Sequence, residues 1–260
     1  MEAMHTTNEN DSLPVQVKTL HKSFGEQAVL NGINLQVRQG ETLSILGRSG
    51  TGKSVLLKLI VGLQVPDSGS ICIHGKEIAG LPLDQLNEIR KKIGFLFQNS
   101  ALYDSLTVEE NVAFPLRRHI KMSDGERKKH VQELLSSVGM EQDSQKMPGQ
   151  ISGGMQKRVG LARALALGPD ILLFDEPTAG LDPITAAEIG ELILRLQKER
   201  NVASIVVTHD IHGAQTVSDR VALLRDGQIL IEGTFGDLQK SSDTFVVQFL
   251  NDGSLGGHHV

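Results

Sequence analysis

The sequence predicts an α/β fold with a mainly parallel sheet, antiparallel strands near the N-terminus and an inserted α-helical subdomain. Three observations carry that prediction. Short apolar runs at 42–46, 171–174 and 202–207 read as buried strands. Helical patterns alternate with them, as parallel sheets with buried centres require. From about 99 to 166 the strand pattern gives way to helical, turn-rich sequence, which marks the insertion.

The elements follow in order. Residues 1–14 are polar and read as a flexible N-terminus. Residues 15–37 read as two short strands around a polar turn at Gly25-Glu26, and the strand at 42–46 runs into Gly47. A helix follows at 54–61, with Val55, Leu56, Leu59 and Ile60 apolar. Ser70-Ile71-Cys72-Ile73-His74 alternates as a strand does. Another strand, at 93–97, ends at Gln98. In the insertion, Thr107 with Glu110 and Ser123 with Glu126 fit capping boxes. Val131, Leu134, Leu135 and Val138 recur at helical spacing. Asp182-Pro183 starts a helix with Pro at its first position, and Ile189, Leu192, Ile193 and Leu196 form its apolar face. Strands at 221–224 and 229–231 flank Asp226-Gly227. The main domain thus spans 15–235, and a tail at 236–260 starts helical and ends polar.

Composition narrows the function. Lys plus Arg is 26 against 31 for Asp plus Glu, a net charge of -5, which argues against nucleic acid as a partner. No stretch approaches the ~20 apolar residues of a membrane span. The opening residues lack the order of a signal peptide. The chain is expected in the cytosol or at a membrane through a partner. The one cysteine, Cys72, excludes an intrachain disulfide and reads as a packed thiol in a reducing compartment.

Two motifs carry chemistry. Gly47-Arg48-Ser49-Gly50-Thr51-Gly52-Lys53-Ser54 matches G-x-x-x-x-G-K-[ST] between a strand and a helix, the context a phosphate-binding loop needs. Its glycines let several N–H groups point into one anion-sized nest, and the helix that follows at 54–61, with Val55 in its first turn, adds its positive end. Lys53 can reach the β- and γ-phosphates, and the Ser54 hydroxyl can ligate Mg²⁺. The second motif is the apolar strand Ile171-Leu172-Leu173-Phe174, which ends in Asp175-Glu176. A carboxylate at the end of a core strand sits beside the phosphate loop in open α/β sheets, so Asp175 suits Mg²⁺ held through water. Glu176 points elsewhere and is the candidate to polarise the attacking water. The fold expected is therefore a P-loop NTPase core, and the ligands a nucleoside triphosphate, which the resemblance below narrows to ATP, and Mg²⁺.

With these residues in place, the chain resembles the ATPase subunit of ATP-binding cassette (ABC) transporters over residues 15–235. Ile151-Ser152-Gly153-Gly154-Met155-Gln156 is similar to the family signature L-S-G-G-Q, departing in its Ile and in Met-Gln where Gln is usual. The resemblance implies that Ser152, Gly153, Gly154 and Gln156 contact nucleotide. It implies that Gln98 touches the metal or the lytic water and that His209 contacts the γ-phosphate. Asp182 carries over from the D-loop, although Ala179-Gly180 replaces the commoner Ser-Ala. Phe24 falls where the family stacks an aromatic ring on adenine. The expected catalytic set is Lys53, Gln98, Glu176 and His209; the expected metal set is Ser54, Gln98 and Asp175.

The resemblance also implies a partner. In the family the signature turn of one subunit closes on the ATP of another, so a homodimer with two equivalent sites is expected, docked on integral membrane permease subunits. A narrower similarity, in residues 94–103, 111–117, 180–185 and 247–250, is to ATPases serving Mce-type (Mla-like) lipid transporters. It implies phospholipid as cargo, Mce-type lipid-binding and small regulatory subunits as partners, and a place on the cytoplasmic side of the inner membrane. Transport of another small substrate, a soluble ATPase acting on nucleic acid or ribosomes, and a nucleotide-reporting regulatory module remain alternatives. A tail that grips the neighbouring subunit is a further expectation.

Overall fold

The computed structural model describes residues 13–254. The expected flexible N-terminus at 1–14 falls mostly outside that range. Within it, Pro14 is buried and its carbonyl accepts the His74 N–H at 3.0 Å.

Strands β1 (Val15–Phe24) and β2 (Gln27–Val37) pair antiparallel, from Val15 opposite Val37 to Phe24 opposite Gln27. They are 10 and 11 residues long, longer than the short strands expected. Bulges around Thr19, where φ is 45°, carry the pairing past the interruption that shortens the sequence pattern. Strand β3 (Thr42–Leu46) buries all five residues, and α1 (Lys53–Ile60) buries Leu56, Leu57, Leu59 and Ile60. Strand β4 (Ser68–Ile73) holds Cys72, half-buried and free, and β5 (Lys76–Glu77) completes an antiparallel sheet in the order β2-β1-β4-β5. Helix α2 (Leu83–Arg90) buries only Ile89, so periodicity does not reveal it.

Strand β6 (Ile93–Leu96) leads into the helices α3 (Val108–His119), α4 (Asp124–Ser137) and α5 (Gly153–Leu165). Both expected capping boxes are formed. These helices bury Val112, Leu116, Leu134 and Leu161 in one core with Leu96, Leu172 and Phe174 of the sheet. The helical insertion is therefore packed on a sheet face.

Strand β7 (Ile171–Asp175) is followed by α6 (Pro183–Arg200), β8 (Ala203–Thr208), α7 (Ile211–Val217), β9 (Arg220–Arg225) and β10 (Gln228–Gly233). The larger sheet runs β10-β9-β3-β8-β7-β6, parallel throughout except for β10 at its edge. The fold is the α/β class expected. Register aligns Leu46 with Thr208, Asp175 with Val207 and Leu96 with Phe174, so four strands end together at one edge. Ligands of open α/β sheets bind at that edge.

The tail holds α8 (Phe235–Gln239) and α9 (Thr244–Ser254). Val246 and Phe249 are buried with Leu46, Ile211 and Leu223 in a third core, in which α9 packs on α7 and α8.

Candidate active site

The end of β3 turns at Gly47 into the glycine-rich loop expected to bind phosphate. A Cβ at Gly47 would lie 2.7 Å from the Leu224 carbonyl oxygen. At Gly52 φ is 100°, and a Cβ there would meet Val29 Cγ1 at 2.9 Å. Both the backbone angle and the neighbour exclude a side chain at Gly52. Thr51 Oγ1 donates to the Arg48 carbonyl at 2.9 Å and closes the turn. The Arg48 guanidinium lies 5.5 Å from the Phe245 ring of α9.

Lys53 is 5% exposed. Its ammonium donates to the carbonyls of Gly47 (2.7 Å) and Arg48 (3.0 Å) and lies 3.8 Å from Glu176 Oε1. Burial lowers its pKa, while Glu176 and Asp175 oppose that shift. The Ser54 hydroxyl donates to Asp175 Oδ1 at 2.8 Å, across from α1 to the end of β7. Burial raises the pKa of Asp175, and the Ser54 bond partly offsets it.

Glu176 follows Asp175 with φ of 47°. That left-handed turn sends its carboxylate sideways to the end of β8. There it accepts the Thr208 hydroxyl at 2.9 Å and the His209 N–H at 3.4 Å, and His209 Nδ1 lies 3.0 Å from Oε2. Two adjacent acids thus take different surroundings, one beside Ser54 and one beside His209.

Phe24, Ser49, Gly50, Gly52, Lys53, Ser54, Val55, Gln98, Glu176 and His209 line one cleft of about 490 Å³. Its apolar end holds Phe24, half-exposed, with Lys22 Nζ 5.4 Å from the ring centroid. Gln27 and Val29 line it too. Sequence reasoning missed both, because they lie in the alternating pattern of β2 and no motif marks them.

The remaining expected residues lie elsewhere in the protomer. Ser152 caps α5, accepting the Met155 N–H at 3.3 Å, and Ser152 and Gly153 are exposed. Gln156 donates its amide to the Pro148 carbonyl at 3.0 Å. Asp182 caps α6 through the N–H groups of Ile184 and Thr185 and accepts the Thr185 hydroxyl, which holds its pKa down. A Cβ at Gly153 would lie 3.6 Å from Leu181 Cδ2, and one at Gly154 2.5 Å from Thr185 Cγ2. The starts of α5 and α6 therefore form one surface, separate from the cleft lining.

The donor set suits a hard cation. Ser54 and Asp175 offer oxygen only, and Gln98 lines the same cleft. Among the described residues no three His, Cys, Asp or Glu side chains converge on a cation position. One hydroxyl and one carboxylate fit Mg²⁺, which keeps several waters and takes one or two protein ligands beside phosphate oxygens.

Comparison with known proteins places this geometry. The ABC transporter family model matches residues 30–179. The chain is 43% identical over 242 residues to a probable ribonucleotide transport ATP-binding protein, mkl, of Mycobacterium leprae, covering 93% of this chain and 70% of that protein. It is 40% identical over 242 residues to the intermembrane phospholipid transport system ATP-binding protein MlaF of Haemophilus influenzae, covering 93% of this chain and 92% of that one. A solved dimeric ATP-binding cassette, in a post-hydrolysis state bound to ADP and Pi, is 39% identical with a TM-score of 0.78 over 85% of this chain and 98% of its own. The strand-loop-helix at Gly47–Ser54, the acids at the end of β7 and these likenesses agree: the chain belongs to the ABC transporter family and is an ATPase.

Proposed function

We propose that this ATPase works as a homodimer that energises a membrane transporter moving phospholipid between membranes. The observation that carries the cargo is the match to MlaF, which spans nearly all of both chains. Among the described residues no helix is long and apolar enough to cross a membrane. The path for lipid therefore belongs to permease subunits, with Mce-type lipid-binding and small regulatory subunits as further partners. The ATPase docks on the cytoplasmic face of the inner membrane through the permease.

In this reading ATP enters the 490 Å³ cleft, with adenine on Phe24 and phosphates on the loop from Gly47 to Ser54. Lys53 exchanges its bonds to the Gly47 and Arg48 carbonyls for phosphate oxygens. Ser54, Asp175 and Gln98 would hold Mg²⁺, which when bound would neutralise phosphate charge. Glu176 takes the proton of the attacking water, and Thr208 and His209 fix its carboxylate. His209 also reaches the γ-phosphate. Ser152, Gly153, Gly154 and Gln156, with Asp182 beside them, complete the neighbour's site.

The identity to mkl supports a second cargo, a ribonucleotide. Reconstitution separates the two. The chain is purified with its membrane partner and placed in vesicles holding a fluorescent phospholipid. ATP-dependent phospholipid transfer, lost in Glu176→Gln, supports the first reading. No transfer, with hydrolysis stimulated by ribonucleotides other than ATP, supports the second.

A further inference from the structure

Lys157 lies in the second turn of α5, is 4% exposed and has no part in the site described above. Its ammonium donates to the carbonyl of Gln98 and, at 3.1 Å, to the carbonyl of Glu176. Further along the same helix, Arg163 donates to the carbonyls of Ser100 (2.6 Å) and Ala101 (2.7 Å). Ser100 and Ala101 have φ of 56° and 47°, so this segment is bent in a way that bonds must maintain. Between the two cations, a Cβ at Gly160 would come within 2.8 Å of Leu96 Cδ1, so α5 lies directly on the chain there. Helix α5 thus grips the segment 98–101 by three carbonyls and Glu176 by a fourth.

Glu176 needs such a grip. Its φ of 47° is rare for a side chain larger than glycine and persists only where surroundings over-determine it. Its N–H is held by the Val207 carbonyl at 2.9 Å. Its own carbonyl is held by the Ala179 N–H at 3.2 Å and by Lys157. Asp175 and Glu176 lie near enough to the ammonium to oppose the lowering of its pKa by burial.

We infer that Lys157 is a positioning residue, tying the backbones of Glu176 and Gln98 to the helix that begins with the Ser152-Gly153-Gly154 turn. The inference rests on the proposed roles of Glu176 and of that turn. When the turn closes on the neighbour's nucleotide, α5 moves, and Lys157 carries the movement to the carboxylate of its own protomer. One ammonium then couples the two sites of the dimer.

The test is steady-state ATP hydrolysis by the full chain, with thermal melting to establish folding and a fluorescent ATP analogue to measure binding. Lys157→Met removes both bonds at similar volume, and Lys157→Arg keeps a donor. Misplacement of the carboxylate is expected to lower kcat about 10- to 100-fold in Lys157→Met while KM stays within about twofold. Lys157→Arg is expected to restore much of the turnover. If Lys157→Met does not fold, Lys157→Gln, whose amide reaches less far, takes its place with the same readouts. A kcat close to that of the unaltered chain overturns the inference. So does an equal loss of nucleotide binding, or an Arg variant as slow as the Met variant. Glu176→Gln, run alongside, separates the two levels. If it turns over normally, the role of Glu176 falls and the inference with it. If it is inactive while Lys157→Met is normal, only the inference falls.

Discussion

His209 Nδ1 lies 3.0 Å from Glu176 Oε2, although 33 residues separate them in the chain. The pair forms because β7 and β8 are neighbours with Asp175 opposite Val207. The turn at Glu176 then directs its carboxylate along the sheet edge and not into the core. The Thr208 hydroxyl and the His209 N–H donate to the same carboxylate, so it is fixed from one side and open to the cleft on the other.

Glu176→Gln tests that arrangement. The amide keeps the volume and an oxygen for the Thr208 hydroxyl, but it cannot take a proton. Phosphate release is expected to fall about 10²- to 10⁴-fold. ATP binding is retained, and size-exclusion chromatography with ATP shows a dimer that persists. Near-normal phosphate release would remove Glu176 as the base.

Gly153→Asp tests the surface formed by α5 and α6. Gly153 is exposed, and the nearest atom to a built Cβ, Leu181 Cδ2, is at ordinary contact distance. An acid in the first turn of a helix also favours the macrodipole, so the fold is kept. The same charge opposes a phosphate brought to the turn by a second protomer. Hydrolysis is expected to fall at least about 100-fold, with ATP binding by the monomer unchanged in a fluorescence titration. Loss of that binding would mean that the turn serves its own protomer.

Ser54→Ala tests the cation site. It removes the hydroxyl that donates to Asp175 and leaves that buried acid with less support. The Mg²⁺ concentration for half-maximal hydrolysis is expected to rise about tenfold or more. A Mg²⁺ titration of fluorescent nucleotide binding should shift by a similar factor. Unchanged Mg²⁺ dependence would exclude Ser54 as a ligand.

The tail makes a separate prediction. Phe249 is 7% exposed and packs in the core that contains Leu46, the residue before the phosphate loop. Phe249→Ala is expected to cost about 3–5 kcal/mol in urea unfolding. Truncation after Gly233 removes Phe249 with Val246, so it is expected to destabilise the monomer. Comparing its effect on ATP-driven dimerisation in the Glu176→Gln background tests a grip on the neighbour. An unchanged dimer would count against that grip.

Much of this was legible because some chemistry leaves short, local marks. A glycine-rich loop between strand and helix, and an apolar strand that ends in two acids, each need residues adjacent in sequence. So do the capping boxes at Thr107 and Ser123, which are formed as their spacing implies. Helix α2 was hidden because it buries one residue, and α9 because its apolar positions lie within a polar tail. Gln27 and Val29 were hidden because their place in the cleft depends on where β2 passes, not on their type.

The sequence by itself determined the fold class, the glycine-rich turn between strand and helix, and the apolar strand that ends in two acids, since local spacing specifies each of them. Only the tertiary structure decided what surrounds each acid. Sheet register and the left-handed turn at Glu176 put Asp175 beside Ser54 and Glu176 beside His209. Packing of α5 on the segment after β6 set the buried ammonium of Lys157 between the carbonyls of Gln98 and Glu176. Asp175 and Ser54 are 121 positions apart and Glu176 and His209 are 33, while Lys157 links two loops through a third element. Formation of these contacts depends on how strands and helices stack, which no local pattern encodes.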